Sequence, residues 1–225
     1  MTVRLGISVE GQTEERFVKD VLTPHLASFH VFATPVVVGT GRSANGRKAK
    51  GGGINVERVT KELRILLGSH RDGYVTSLYD LYGFRDRRLG EGAEALQRRL
   101  AACLDEPANL IPYIQRYEFE ALLLADSAVA ADYFQAPALQ RLIQQAVDWA
   151  GTAEDVNDDP TSAPSKRLEN WTRQHAPVLM RFSEKTKVRH GAALSARLTI
   201  PVIRAACPRF NDWLTRLEGL GGPRA

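Results

Sequence analysis

The first 126 residues alternate short β-rich runs with longer helical patterns, and this alternation restricts the fold more than any other feature of the chain. Val3 to Val9 reads as a strand ending at Glu10-Gly11. Thr13 then offers an N-cap, Glu14 and Glu15 fill a first helical turn, and Phe17, Val21 and Leu22 form its apolar face. His30 to Val38 is a second β-rich run, and Pro35 predicts an edge strand or a bulge there. Val56, Val59, Leu63, Leu66 and Leu67 fall at helical spacing, and Tyr74 to Tyr79 is a strand running into Asp80. Leu96, Leu100, Cys103 and Leu104 mark a further helix; Leu110 to Ile114 is a short strand, followed by a helical run from Glu118 to Asp126. This order predicts an α/β fold, a mostly parallel sheet with right-handed crossovers and flanking helices. After residue 126 the β signal ends. Helical patterns follow over Leu139 to Ala150, around Leu168 and Trp171, and from Phe210 to Leu217, with Gly219 as the stop. The expected organisation is an α/β domain over 1–126 with an α-helical region over 127–225 packed on it.

Composition removes several classes of protein. Apolar residues at 44% and charged residues at 25% exclude a disordered or fibrous chain. Two cysteines, Cys103 and Cys207, cannot build a disulfide scaffold or a zinc ligand set. The N-terminus is apolar for about seven residues before turning acidic, too short for a signal peptide. No window approaches the ~20 apolar residues of a membrane span. A cytoplasmic protein with no membrane partner is expected, and a homodimer is compatible with these features.

Three expected strands run directly into acids: Glu10, with Glu14 four residues on; Asp80; and Glu118, with Glu120 two on. In a parallel sheet the carboxyl ends of the strands form the functional edge. Two carboxylates ~4 Å apart repel by about 4 kcal/mol at an effective dielectric of about 20. Such an edge needs raised pKa values, basic neighbours or a cation, and oxygen-only donors favour Mg²⁺ or Mn²⁺. Blander roles compete: Glu14 and Glu15 as dipole-complementing acids, Asp80 as an N-cap. Residues two apart on a helix point in different directions, so only one of Glu118 and Glu120 is expected at the edge, with Glu118 closer to the strand. Glu10 is the strongest candidate, because a glutamate ending an apolar strand before glycine is neither a good cap nor an ordinary surface residue.

The basic groups cluster as well. Residues 39 to 53 carry Arg42, Arg47, Lys48 and Lys50 among glycines, either a solvated loop or a segment that clamps DNA. Its GRSANGRK has P-loop spacing but Arg and Lys where Lys and Ser/Thr belong, so triphosphate binding is not expected. Arg85, Arg87 and Arg88 follow Asp80 closely. Lys166 and Arg167 begin a helix, and Lys185, Lys187 and Arg189 precede another. His190 reads as a phosphate contact or a structural hydrogen bond; Tyr82, Tyr117, Phe119 and the three tryptophans read as core.

The segments VEGQTEERF (Val9 to Phe17), SLYDLYGF (Ser77 to Phe84), PYIQRYEFEALLLAD (Pro112 to Asp126), NDDPTSAPSKRL (Asn157 to Leu168), KVRHG (Lys187 to Gly191) and CPRFNDWLTRL (Cys207 to Leu217) occur in that order. Together they resemble a bacterial family of unassigned function whose fold looks like TOPRIM, the domain of topoisomerases, primases and overcoming-lysogenization-defect nucleases. The resemblance implies a TOPRIM-like sheet, Mg²⁺ or Mn²⁺ chemistry on nucleic-acid phosphodiesters, and an AAA- or ABC-type ATPase as partner. It gives Glu10 the metal-binding role at the end of the first strand, makes Glu14 the acid of VEGxTE, and maps Asp80 onto the first acid of the DxD motif. Tyr82 stands where the second acid belongs, which leaves a second metal to Glu118 or another acid. Lys166, Arg167 and Lys187 become site residues, with Lys187 stabilising the transition state. The expected function is a divalent-metal-dependent nuclease in bacterial defence or DNA processing. The alternatives are a non-catalytic module partnering an ATPase and a small-molecule phosphotransferase or phosphatase.

Overall fold

β1 (Val3–Val9) is flanked on both sides in the sheet, by β2 (Val31–Val37) and by β3 (Tyr74–Asp80), and all pairings are parallel. A computed structural model describes residues 2–38, 53–156 and 162–222. The sheet order is β2-β1-β3-β4, where β4 is Leu110–Ile111; β5 (Ile114–Gln115) continues the pairing on β3 after Pro112 interrupts it. The expected single strand over Leu110 to Ile114 is thus two short ones. β2 is the edge strand, which accommodates the missing N–H of Pro35.

Ten α-helices surround the sheet among the described residues. α1 (Gln12–Phe17) and α2 (Thr23–Ala27) are joined by one π-helical turn over Val18–Leu22, forming the crossover from β1 to β2. α3 (Val56–Ser69) precedes β3, and α4 (Ala93–Ala102) leads towards β4. The remainder is helical: α5 (Ser127–Tyr133), α6 (Ala138–Ala150), α7 (Pro164–His175), α8 (Lys187–Leu198), α9 (Ile200–Ala206) and α10 (Pro208–Glu218). The expected α/β class, with helices at the C-terminal end, is what the chain adopts.

Strand alternation sends side chains to two cores. On one face Val75 and Tyr79 pack with Val59 and Leu63 of α3 and Leu96 and Leu100 of α4. On the other, Leu5, Ile7, Val9 and Leu78 join Phe17 and Leu22, together with Leu139, Leu194, Phe210 and Leu214 from the C-terminal helices. Residues from either side of position 126 therefore share one core. α10 is pinned to the sheet by Trp213, which stacks on Tyr113 at 4.5 Å and donates its Nε1–H to Thr76 Oγ1 at 2.8 Å.

This connectivity creates a topological switch point. From β1 the chain crosses to β2 on one side, then returns to β3 on the other, so the connections leave the carboxyl ends of β1 and β3 in opposite directions. Such a switch point is where parallel sheets bind ligands. Glu10 immediately follows β1, and Asp80 ends β3.

Candidate active site at the carboxyl edge of the sheet

Gly11, extended at φ −150° and ψ −169°, caps α1 with no side-chain hydrogen bond. Thr13, expected as the N-cap, lies one residue inside the helix and is buried. Glu14 lies in the first turn, as expected, and is buried. Asp80 was open to an N-capping role; its Oδ1 instead accepts the Phe119 backbone N–H at 2.8 Å. Glu118 is extended at φ −142° and ψ 156°, and a 3₁₀ helix over Phe119–Leu124 follows it.

That local geometry corrects the choice between Glu118 and Glu120. The exclusion places both on one helix, whereas Glu118 is an extended residue before a 3₁₀ turn, and the charges of Glu118 and Glu120 both raise the Asp80 pKa. Glu118 Oε2 also accepts the Ser165 backbone N–H at 2.9 Å, fastening the start of α7 to the edge. Glu120 is buried and belongs to the acid group.

Electrostatics follow from the crowding. Burial and then Glu14 push the Glu10 carboxyl up to about 7, against Lys187 and a hydrogen bond from the Asp80 backbone. Burial likewise raises Glu14. Burial, Glu14, Glu10, Glu120 and Glu118 together hold Asp80 well above the usual carboxylate range. Burial and then Glu118 push Glu120 to about 8. Burial works against the charge on Lys187, but Glu120, Glu184 and Glu14 outweigh it and raise its pKa. Lys187 also pairs with Glu184 at 3.1 Å.

Two glycines set these positions. A Cβ on Gly83 would stand 2.2 Å from Glu10 Oε2, so this carboxylate rests where only glycine leaves room. A Cβ on Gly191 would stand 2.6 Å from Thr13 Cγ2; the missing side chain lets α8 close on α1 and brings Lys187 to the acids. Of Lys185, Lys187 and Arg189, expected to precede the helix, only Lys185 does; Lys187 and Arg189 lie in the first turn of α8.

Glu10 Oε2 is buried with no hydrogen-bond partner. Such an oxygen is costly to maintain and is rarely retained without a purpose. The donors around it are carboxylates, which suit a hard divalent cation. Among the described residues, no three His, Cys, Asp or Glu side chains form a ready-made ligand set, so binding an ion requires the carboxylates to draw in.

The structure brings Glu10, Glu14, Asp80, Glu118, Glu120 and Lys187 to one edge, and the basic candidates separate. Arg85 packs over Gly53, beside the Gly83 on which Glu10 rests, and its N–H bonds Ile54 O at 3.0 Å. Lys166 pairs with Glu169 at 3.5 Å. Arg167 lies over Trp171 at 5.8 Å, with its Nε donating to Ser162 O at 2.8 Å. Of the two readings open for His190, the structure has the structural hydrogen bond and not the nucleic-acid contact. It is buried among Tyr133, Phe134 and Phe182, with Nδ1 at 2.9 Å from Tyr133 Oη and Nε2 at 3.1 Å from an Arg189 nitrogen. Trp213 is core as expected, whereas Trp149 is 77% exposed. Arg42, Arg47, Lys48 and Lys50 lie outside the described residues.

Fold and site together define an α/β protein that gathers acids from three strand ends and one lysine at the switch point of a parallel sheet. Within that class, residues 9–218 match the model of a family described as a domain of unknown function, DUF4276, and the chain belongs to this family. No curated protein and no solved structure matches it. Among the described residues no helix is long and apolar enough to cross a membrane.

Proposed function

We propose that this protein is a divalent-cation-dependent phosphodiesterase acting on nucleic acid, DNA in the first place, within bacterial defence or DNA processing. The observation that carries the reading is the Glu10 carboxylate, held against Gly83 with one buried oxygen unpartnered, with Glu14 raising its pKa and Asp80 crowded in turn by Glu10, Glu14, Glu118 and Glu120. Glu10 and Asp80, with Glu14 or Glu120, would hold Mg²⁺ or Mn²⁺; such an ion, when bound, polarises a phosphate oxygen and lowers the pKa of water. Lys187, charged and half-buried at the same edge, offsets negative charge developing on the phosphate. Glu118 has a different task, holding the first turn of α7 in place through Ser165. The TOPRIM-like resemblance supports the same assignment for Glu10 and Asp80.

The test is cleavage of plasmid, linear and single-stranded DNA with Mn²⁺, together with thermal shift on Mn²⁺ addition. Cleavage that disappears in Glu10→Gln, with Mn²⁺ stabilisation lost in Asp80→Asn, supports the proposal. A wild type that neither cleaves nor responds to Mn²⁺ overturns it.

Tyr82 and the lack of a ready-made ligand triplet among the described residues favour a second reading, a non-catalytic module that docks on an ATPase. Stabilisation by such a partner, with none by Mn²⁺, would select it.

A further inference from the structure

α6 and α7 flank an open surface hollow of about 280 Å³ lined by Leu142, Gln145, Ala146, Trp149, Arg167 and Trp171. The first four fall at i, i+3, i+4 and i+7 along α6, and Arg167 and Trp171 at i and i+4 along α7, so one stripe of each helix forms each wall. Trp213 shows how this chain treats a tryptophan used for packing: it is buried, stacked and hydrogen-bonded. Trp149, 77% exposed at the rim of the hollow, has no such role.

We infer that this hollow is a slot for an unpaired nucleobase and its phosphate. The exposed Trp149 indole offers stacking to any flat base, which makes the slot tolerant of sequence. Arg167, steadied by the Ser162 carbonyl and the Trp171 ring, places a cation at the same wall, where an anionic ligand gains and a neutral one does not. Gln145 adds an amide that can pair with a base edge. A base within an intact duplex has its faces covered and cannot enter, so the slot selects single-stranded or locally opened nucleic acid.

The slot and the acid edge are joined through the first turn of α7, where Ser165, whose N–H holds Glu118, precedes Arg167 by two residues. The choice of ligand rests on the nucleic-acid reading above; the slot's chemistry does not depend on cleavage.

Tryptophan fluorescence tests it directly. The full chain is titrated in EDTA, where no metal-dependent cleavage occurs, with a short oligothymidylate, the matching duplex and a proline-rich peptide. Oligothymidylate should quench, and Trp149→Ala and Arg167→Gln should each weaken its binding about tenfold, within the range for loss of one stacked base. Trp149 is solvent-facing, so its replacement leaves the core intact. Equal binding by wild type and Trp149→Ala overturns the slot, as does quenching by the peptide alone, or a change of oligomeric state in Trp149→Ala without a change in binding. Because cleavage plays no part, these failures leave the phosphodiesterase reading standing, and loss of that reading leaves the binding result standing.

Discussion

Two regions of this protein bury glutamate, and they treat it in opposite ways. Glu154 is 1% exposed, yet its carboxylate accepts the backbone N–H groups of Arg209 at 2.8 Å and Phe210 at 3.1 Å and the Tyr113 hydroxyl at 3.3 Å. It caps α10 from a distant turn, replacing the side-chain cap that Cys207 does not supply. Burial raises its pKa, and these hydrogen bonds pull it back. Glu10 is crowded by other acids and keeps an unpartnered oxygen. Burial of a carboxylate is therefore no sign of function by itself. The unmet hydrogen bond, and the like charges beside it, separate a working edge from a strut.

The largest expected effect breaks this comparison at Glu10. Glu10→Gln keeps the shape, removes the charge, and should lower DNA cleavage on the order of a thousandfold while the fold persists. Full cleavage by this variant would place the chemistry elsewhere.

The next effect, about 3 kcal/mol, is a pH dependence. Glu10 sits at about 7 and Glu120 at about 8 in the folded protein, against an ordinary value of 4.5. Between these limits the folded state holds protons that the unfolded chain has released. Their contribution to stability is complete below the unfolded pKa and is lost as pH rises through 7 to 8. In urea titrations with EDTA, Glu10→Gln should match wild type near pH 4 and exceed it near pH 8 by about 3 kcal/mol, the value of the Glu10 shift. Equal stability at both ends would mean that the carboxylate is not held neutral. At Glu154 the contrast is in sign: Glu154→Ala strands two backbone donors at the start of α10 and should cost about 2 kcal/mol of unfolding free energy, with Mn²⁺ stabilisation unchanged.

Much of this arrangement is legible from the sequence. The order of strands and helices follows from periodicity, and Glu10 stands out because a strand ending in Glu-Gly has no simple structural purpose. The failures have local causes. The sequence pattern makes the segment after Glu118 read as α-helical and so sets Glu120 aside; a 3₁₀ start is a departure of one hydrogen-bond step that no periodicity reveals. Thr13 has the chemistry of a cap, but Gly11 adopts the extended backbone first. For His190 the sequence leaves a phosphate contact and a structural hydrogen bond open, and the choice between them is made by Tyr133, Phe134 and Phe182, which reach it through tertiary packing. Trp149 lies near the end of an amphipathic helix, where sequence does not tell a rim from a core.

The smallest expected effect concerns how Lys187 reaches the acids. Gly191→Ala inserts a methyl 2.6 Å from Thr13 Cγ2, between two helices that must stay close for Lys187 to meet Glu14 and Glu120. Such overpacking should cost about 1 kcal/mol in urea unfolding, and it should reduce cleavage more than a loss of stability alone explains, because α8 carries Lys187 in its first turn. Thr13→Ser deletes the carbon that clashes. If the glycine matters only through this contact, the double variant Thr13→Ser/Gly191→Ala should recover most of both losses, a coupling expected of touching residues and absent between distant ones. Additive losses in the double variant would instead mean that Gly191 acts through the helix backbone, and that the placement of Lys187 has another cause.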